Sequence, residues 1–149
     1  KMTAVASKSD PKRYYLDTSA YLAILLGERE AVNILKLIGQ GLPCSSTLLL
    51  IEAERNLIHL VRQKVLTQDF FDKAFEQLRT DQELFILRDL TPDLCLSREF
   101  PPVRTPRSSD LLHIRTAKWF LEHGGLESFI SLDIDQLKSA AEFGLPCSW

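Results

Sequence analysis

The feature that most constrains this chain is one alternating series, short strand-forming runs each with a helical stretch behind it and no internal sequence repeat. "RYYLD" at 13–17 precedes "TSAYLAILL" at 18–26, and "LPCS" at 42–45 precedes a helical pattern from 47 to about 64. "ELFILRD" at 83–89 precedes a short helix in "TPDLCLSREF" and a long one in "DLLHIRTAKWFLEH"; "SFISLD" at 128–133 precedes "DQLKSAAEF" at 135–143. Strands this short and apolar belong to a sheet covered on both faces, and parallel strands need a crossover, usually a helix, between them. The expected fold class is therefore α/β, a three-layer α/β/α sandwich with a mostly parallel central sheet.

The remaining elements follow from periodicity and punctuation. Gly27 ends the first helix, residues 28–39 carry apolar positions at 31, 34, 35 and 38, and Gly39 with Gly41 stops that second helix. Ser46 is placed to cap the long helix, whose opposite stripe is Glu52, Arg55, Asn56, His59 and Gln63. A further helix is expected from Thr67 to about Arg79, and Ser108 or Ser109 is placed to cap the helix that Gly124 and Gly125 end. "PPVRTPR" at 101–107 reads as a loop, and Gly144 stops the last helix before "LPCSW".

A chain of 149 residues with 45% hydrophobic and 26% charged residues suits one globular domain. The expected division is a flexible polar lead-in over 1–13 and a single domain over 14–149. Met2 is the expected native start, with Lys1 as a remnant ahead of it. The longest apolar runs fall well short of the about 20 residues that cross a bilayer. No apolar signal core opens the chain, so no membrane association and a cytoplasmic location are expected. Cys44, Cys95 and Cys147 form no C-x-x-C pair and read as buried free thiols. The net charge of −2 excludes a global basic field, but residues 98–118 carry +3 against −5 elsewhere. Within that segment Arg104, Arg107 and Arg115, just before and along the helix of Asp110, are candidate phosphate contacts.

Two acids, Asp17 and Asp133, end predicted strands, at the edge where open α/β sheets place ligands. Asp110 falls in the first turn of its helix and Glu52 within about two turns of Ser46, so both can aim a carboxylate at that edge. Singly, each has an ordinary explanation as a cap, a helix-dipole complement or solvated surface. Together they repel: at ~5 Å and an effective dielectric of ~20, each ionised pair costs about 3 kcal/mol. A divalent cation relieves that cost, and carboxylate oxygens without a His/Cys set suit Mg²⁺ or Mn²⁺ rather than zinc. Such an ion supports hydrolysis of a phosphodiester. His113, one turn after Asp110, reads as a structural histidine, His59 as part of a solvated face, and Trp119, Phe120 and Trp149 as core or dimer packing.

"YYLDTSAYLAILLGE", "SSTLLLIEAERNL", "SSDLLHIRTA" and "FISLDIDQLKSAAEFGLP" resemble, in order, the four motifs of PIN-domain nucleases. Among these the chain is most similar to the VapC toxins of toxin–antitoxin pairs, over roughly residues 13–147. The resemblance implies a PIN-like domain and a Mg²⁺- or Mn²⁺-dependent endoribonuclease acting on single-stranded RNA. It implies Asp17, Glu52, Asp110 and Asp133 as the acidic quartet, with Thr18 or Ser19 supporting the first acid. It also implies a small antitoxin partner and a homodimer. The sequence departs from the pattern at Arg115, where a small residue is commoner, and at Ser131, where Thr is; Asp135 competes with Asp133 as the last acid. Two other readings are a non-catalytic RNA- or protein-binding module on the same fold and a metal-dependent phosphatase.

Overall fold

The computed structural model describes residues 9–149. Strand β1 (Arg13–Leu16) is followed by α1 (Thr18–Leu25), α2 (Ala31–Ile38), β2 (Leu42–Ser46), α3 (Leu48–Arg62) and α4 (Gln68–Asp81). Then come β3 (Ile86–Arg88), α5 (Pro92–Cys95), α6 (Ser108–Glu122), β4 (Ser128–Ile130), α7 (Ile134–Glu142) and β5 (Cys147–Ser148). All strand pairs are parallel, in the order β3-β2-β1-β4-β5. The expected three-layer α/β sandwich is the architecture of the chain.

Alternation along β1 sorts its residues onto the two faces. Tyr15 packs with Ile114, Ala117, Phe120, Phe129 and Ala140, under α6 and α7. Tyr14 and Leu16 point the other way, into Ala20, Ala23 and Ile34 of α1 and α2, with Ile130 alongside. A third cluster, Tyr21, Leu49, Ala53 and Leu78, joins α1 to the α3–α4 hairpin. The Tyr21 hydroxyl donates to Asp81 Oδ2 at 2.8 Å, which ties that hairpin to α1.

This topology places the site. The chain leaves β1 towards β2 on one side, while β4 pairs on the other. Their connections diverge and open a crevice at the carboxyl ends of β1 and β4. Asp17 follows β1 directly and Asp133 lies three residues beyond β4.

Several boundaries differ from expectation. The last strand-forming run pairs only over Ser128–Ile130, because 131–133 leave the sheet to cap α7, where Asp133 Oδ1 accepts from the Asp135 and Gln136 amides. The third strand is confined to Ile86–Arg88. Cys147–Ser148, beyond the Gly144 turn, adds an edge strand that a two-residue segment does not announce. Ser108 is already helical, with Arg107 in the capping position and no side-chain cap bond. The lead-in expected over 1–13 lies outside the described residues for 1–8. Arg13 is not lead-in but the first residue of β1, its guanidinium bound to the carbonyls of Phe120, His123 and Gly125. Of the three free thiols only Cys44 is buried; Cys95 and Cys147 are exposed. Among the described residues, no helix is long and apolar enough to cross a membrane.

Candidate active site

Asp17 begins where β1 stops. Its Oδ1 accepts from the Ala20 amide at 3.1 Å, capping α1, and from the Ser19 hydroxyl at 2.6 Å. Its Oδ2 accepts from the Ser131 hydroxyl at 2.5 Å, across the β1–β4 crevice. At 5% exposure this carboxyl lies beneath the surface rather than on it. Burial raises it above the usual carboxylate range, against the opposing hydrogen bonds from Ser131, Ser19 and Ala20.

Glu52 reaches the same region from the second turn of α3. Its Oε1 accepts from the Thr18 hydroxyl at 2.8 Å and from His113 Nε2 at 2.6 Å. Burial pushes this carboxyl up, but His113, by hydrogen bond and charge, and the Thr18 hydroxyl together hold it below the usual range. Of the two candidate supports for Asp17, only Ser19 plays that part. Thr18 supports Glu52 instead, because consecutive side chains at a helix start diverge by about 100°.

Asp110, in the first turn of α6, is where the four acids sense one another. Burial raises its carboxyl first, the Asp133 charge next, and Asp17 and Glu52 further, with His113 opposing. Asp135, the competing acid, instead faces Arg104 at 3.8 Å. Beside these groups lies an open cleft of about 1040 Å³, lined by Glu52, Arg55 and Asn56 on one side and by the 104–107 loop, Asp110 and the start of α7 on another. Asp133 is exposed on its rim.

The three candidate phosphate contacts fare differently. Arg107 is exposed and lines the cleft. Arg104 also lines it but is drawn towards Glu142 at 3.4 Å. Arg115 is 6% exposed and donates to the carbonyls of Leu94, Cys95 and Glu99, with its guanidinium over the Phe100 ring. It is a clamp on α5 and the following loop, not a phosphate contact. The sequence reading missed Arg55, which stands one turn from Glu52 and lines the cleft. It also missed Gln136, whose Nε2 donates to the Asp110 carbonyl at 2.9 Å while Oε1 is buried without a partner among the described residues. The i, i+3 spacing from Glu52 and from Asp133 was the available signal for both.

Among the described residues, no three His, Cys, Asp or Glu side chains converge tightly enough to cage a metal ion. The donor chemistry nonetheless fits a hydrated hard cation. Mg²⁺ keeps several waters and takes one or two carboxylates together with substrate phosphates. An Asp110 carboxyl that burial and then Asp133, Asp17 and Glu52 hold up is a group whose ionised form such a cation would stabilise.

No family model and no curated protein matches this sequence. Among solved structures the chain is similar to one chain of the crystal structure of VapBC2 from Rickettsia felis bound to a DNA fragment from their promoter. The TM-score is 0.60 at 12% identity, over 91% of this chain and 97% of that one. At that identity the likeness speaks for the fold alone, the all-parallel α/β/α sandwich described above.

Proposed function

We propose that the chain is a Mg²⁺- or Mn²⁺-dependent endoribonuclease that hydrolyses single-stranded RNA as the toxin of a toxin–antitoxin pair. The observation that carries this reading is the single open cleft that Glu52, Asp110 and Asp133 line together with Arg55 and Arg107, with Asp17 buried at the end of β1. The likeness to VapBC2 adds weight, and it makes an antitoxin the partner to test for this chain too.

In this proposal Asp110, Glu52 and Asp133, which line the cleft, would hold a hydrated cation partly through its waters, and Asp17 would support them from beneath. The chemistry such a cation would supply when bound is activation of a water and stabilisation of the leaving oxygen of the phosphodiester. The chain's own residues do the rest. Ser19 and Ser131 hold Asp17 in one orientation, Thr18 and His113 hold Glu52, and Arg55 and Arg107 bind phosphates of the strand from the cleft walls. The homodimer and the cytoplasmic location belong to the same proposal.

The test is cleavage of a labelled single-stranded RNA by the full chain with Mg²⁺, with Mn²⁺ and with EDTA. Metal-dependent cleavage by the wild type that falls at least 100-fold in Asp17→Asn and Asp110→Asn is expected. Cleavage that persists in EDTA or in both variants overturns the mechanism. RNA binding without cleavage by the wild type would make the chain a binding module, and release of phosphate from monoesters alone would make it a phosphatase. Size-exclusion chromatography with light scattering reads the expected homodimer.

A further inference from the structure

Glu52 presents an unusual division of labour between its two oxygens. Both protein donors, the Thr18 hydroxyl and His113 Nε2, converge on Oε1, and among the described residues no hydrogen bond reaches Oε2. Glu52 lines the cleft while its histidine partner, 2% exposed, is sealed behind it. An ionised carboxylate only accepts, so the short Nε2–Oε1 contact puts the ring proton on Nε2. The other ring nitrogen, Nδ1, lies 2.7 Å from the Tyr15 hydroxyl. Tyr15 is itself immobile: it is fully buried in the central strand, its ring stacks on Phe129 at 5.4 Å, and it meets the histidine edge-on at 5.8 Å.

We propose that His113, anchored by Tyr15, is a positioning residue that fixes Glu52 so that one oxygen faces the protein and the other faces the metal. The proposal rests on the nuclease reading above and deepens it. A glutamate in mid-helix has three side-chain torsions free, and a ligand of that length is precise only when something behind it is rigid. Here the rigid body is the sheet: its central strand holds Tyr15, Tyr15 orients the imidazole, and the imidazole orients the carboxylate. The arrangement is a carboxylate held by a histidine behind it, and outer partners of this kind raise metal affinity by 10- to 100-fold, roughly. Because His113 stands one turn after Asp110, a single helix supplies one acid and the holder of another.

The experiment is a Mn²⁺ titration of the full chain followed by the EPR signal of the free ion, alongside kcat, KM and thermal unfolding without metal. The variants are His113→Ala, His113→Gln, Tyr15→Phe and Glu52→Gln. His113→Ala is expected to weaken Mn²⁺ binding by about 10-fold or more and to lower kcat with KM for RNA unchanged. His113→Gln, whose amide can still donate to Oε1, is expected to recover most of both, and Tyr15→Phe to fall between. A His113→Ala protein that melts earlier but binds Mn²⁺ as the wild type does has lost only core packing, which overturns the proposal. So does a Gln variant no better than Ala. If His113→Ala does not fold, Tyr15→Phe decides: weakened Mn²⁺ binding supports the proposal and wild-type binding overturns it. Wild-type Mn²⁺ affinity in Glu52→Gln overturns the metal reading and this proposal with it, whereas weak binding there and full binding in His113→Ala overturns this proposal alone.

Discussion

Asp110 and Asp17 are two carboxyls whose charge the fold disfavours. Burial and Asp133 hold the Asp110 carboxyl up, and burial does the same at Asp17. The folded protein therefore retains protons that the unfolded chain has released. Stability from these two groups is complete below the unfolded carboxylate range and is lost as pH rises through their higher folded values. Asp110→Asn is expected to raise the melting temperature of the metal-free protein by a few degrees at pH 7, to flatten that pH dependence in urea unfolding, and to diminish stabilisation by added Mg²⁺. The arginines part in the opposite way. Arg107→Glu is expected to leave stability unchanged while weakening RNA binding and reducing its salt slope by about 1 to 2. Arg115→Ala is expected to cost roughly 2 to 3 kcal/mol in urea unfolding, because its guanidinium satisfies three buried or half-buried carbonyls. That contrast was not legible in the sequence, where both are basic residues within a few positions of Asp110. The positions of the acids follow from the order of elements: Asp17 directly follows β1, Asp133 lies just beyond β4, Asp110 is in the first turn of α6 and Glu52 in the second turn of α3. The difference between Thr18 and Ser19 depends on which way each side chain leaves the helix start, and only coordinates resolve that.

At the scale of elements, the close approach at Gly41 is the least forgiving. A Cβ there would come within 2.6 Å of the Tyr14 ring and 2.8 Å of the Lys12 carbonyl. That carbonyl accepts from the Leu42 amide at 2.8 Å, so the crowding falls where β1 and β2 begin to pair. Gly41→Ala is expected to destabilise the fold by roughly 1 to 3 kcal/mol, measured by urea unfolding, with no direct effect on the cleft. In the sequence Gly41 read as a helix stop, which it is close to being. Its packing role is invisible there because Tyr14 lies in another element. Helix α3 is legible nearly to its ends from the apolar residues at 50, 53, 57, 60 and 61, although its buried face is Leu49, Ala53 and Leu57. Strand β5 escaped because two residues carry no period, and its pairing with Phe129 and Ile130 is set by the turn at Gly144.

Across the whole molecule, alternating strands and helices were sufficient to specify a parallel sheet, and the switch in strand order around β1 then explains why the acids gather where they do. The thiols report on the same packing. Burial pushes Cys44 up to about 12 and raises Cys147 less far, while Cys95 is exposed. At pH 8 iodoacetamide is expected to alkylate Cys95 first and Cys147 more slowly, with Cys44 silent until the sheet unfolds; mass spectrometry of peptides reads the order. Arg13 has a different consequence. It grips the C-terminal carbonyls of α6 from the start of β1, about 13 Å of strand from Asp17, at the edge of the sheet away from the acids. That leaves the entry to β1 as a natural handle. A dye or a surface tether attached at the exposed Asp10 holds the molecule by its back, with the cleft facing outward for single-molecule tests of strand binding.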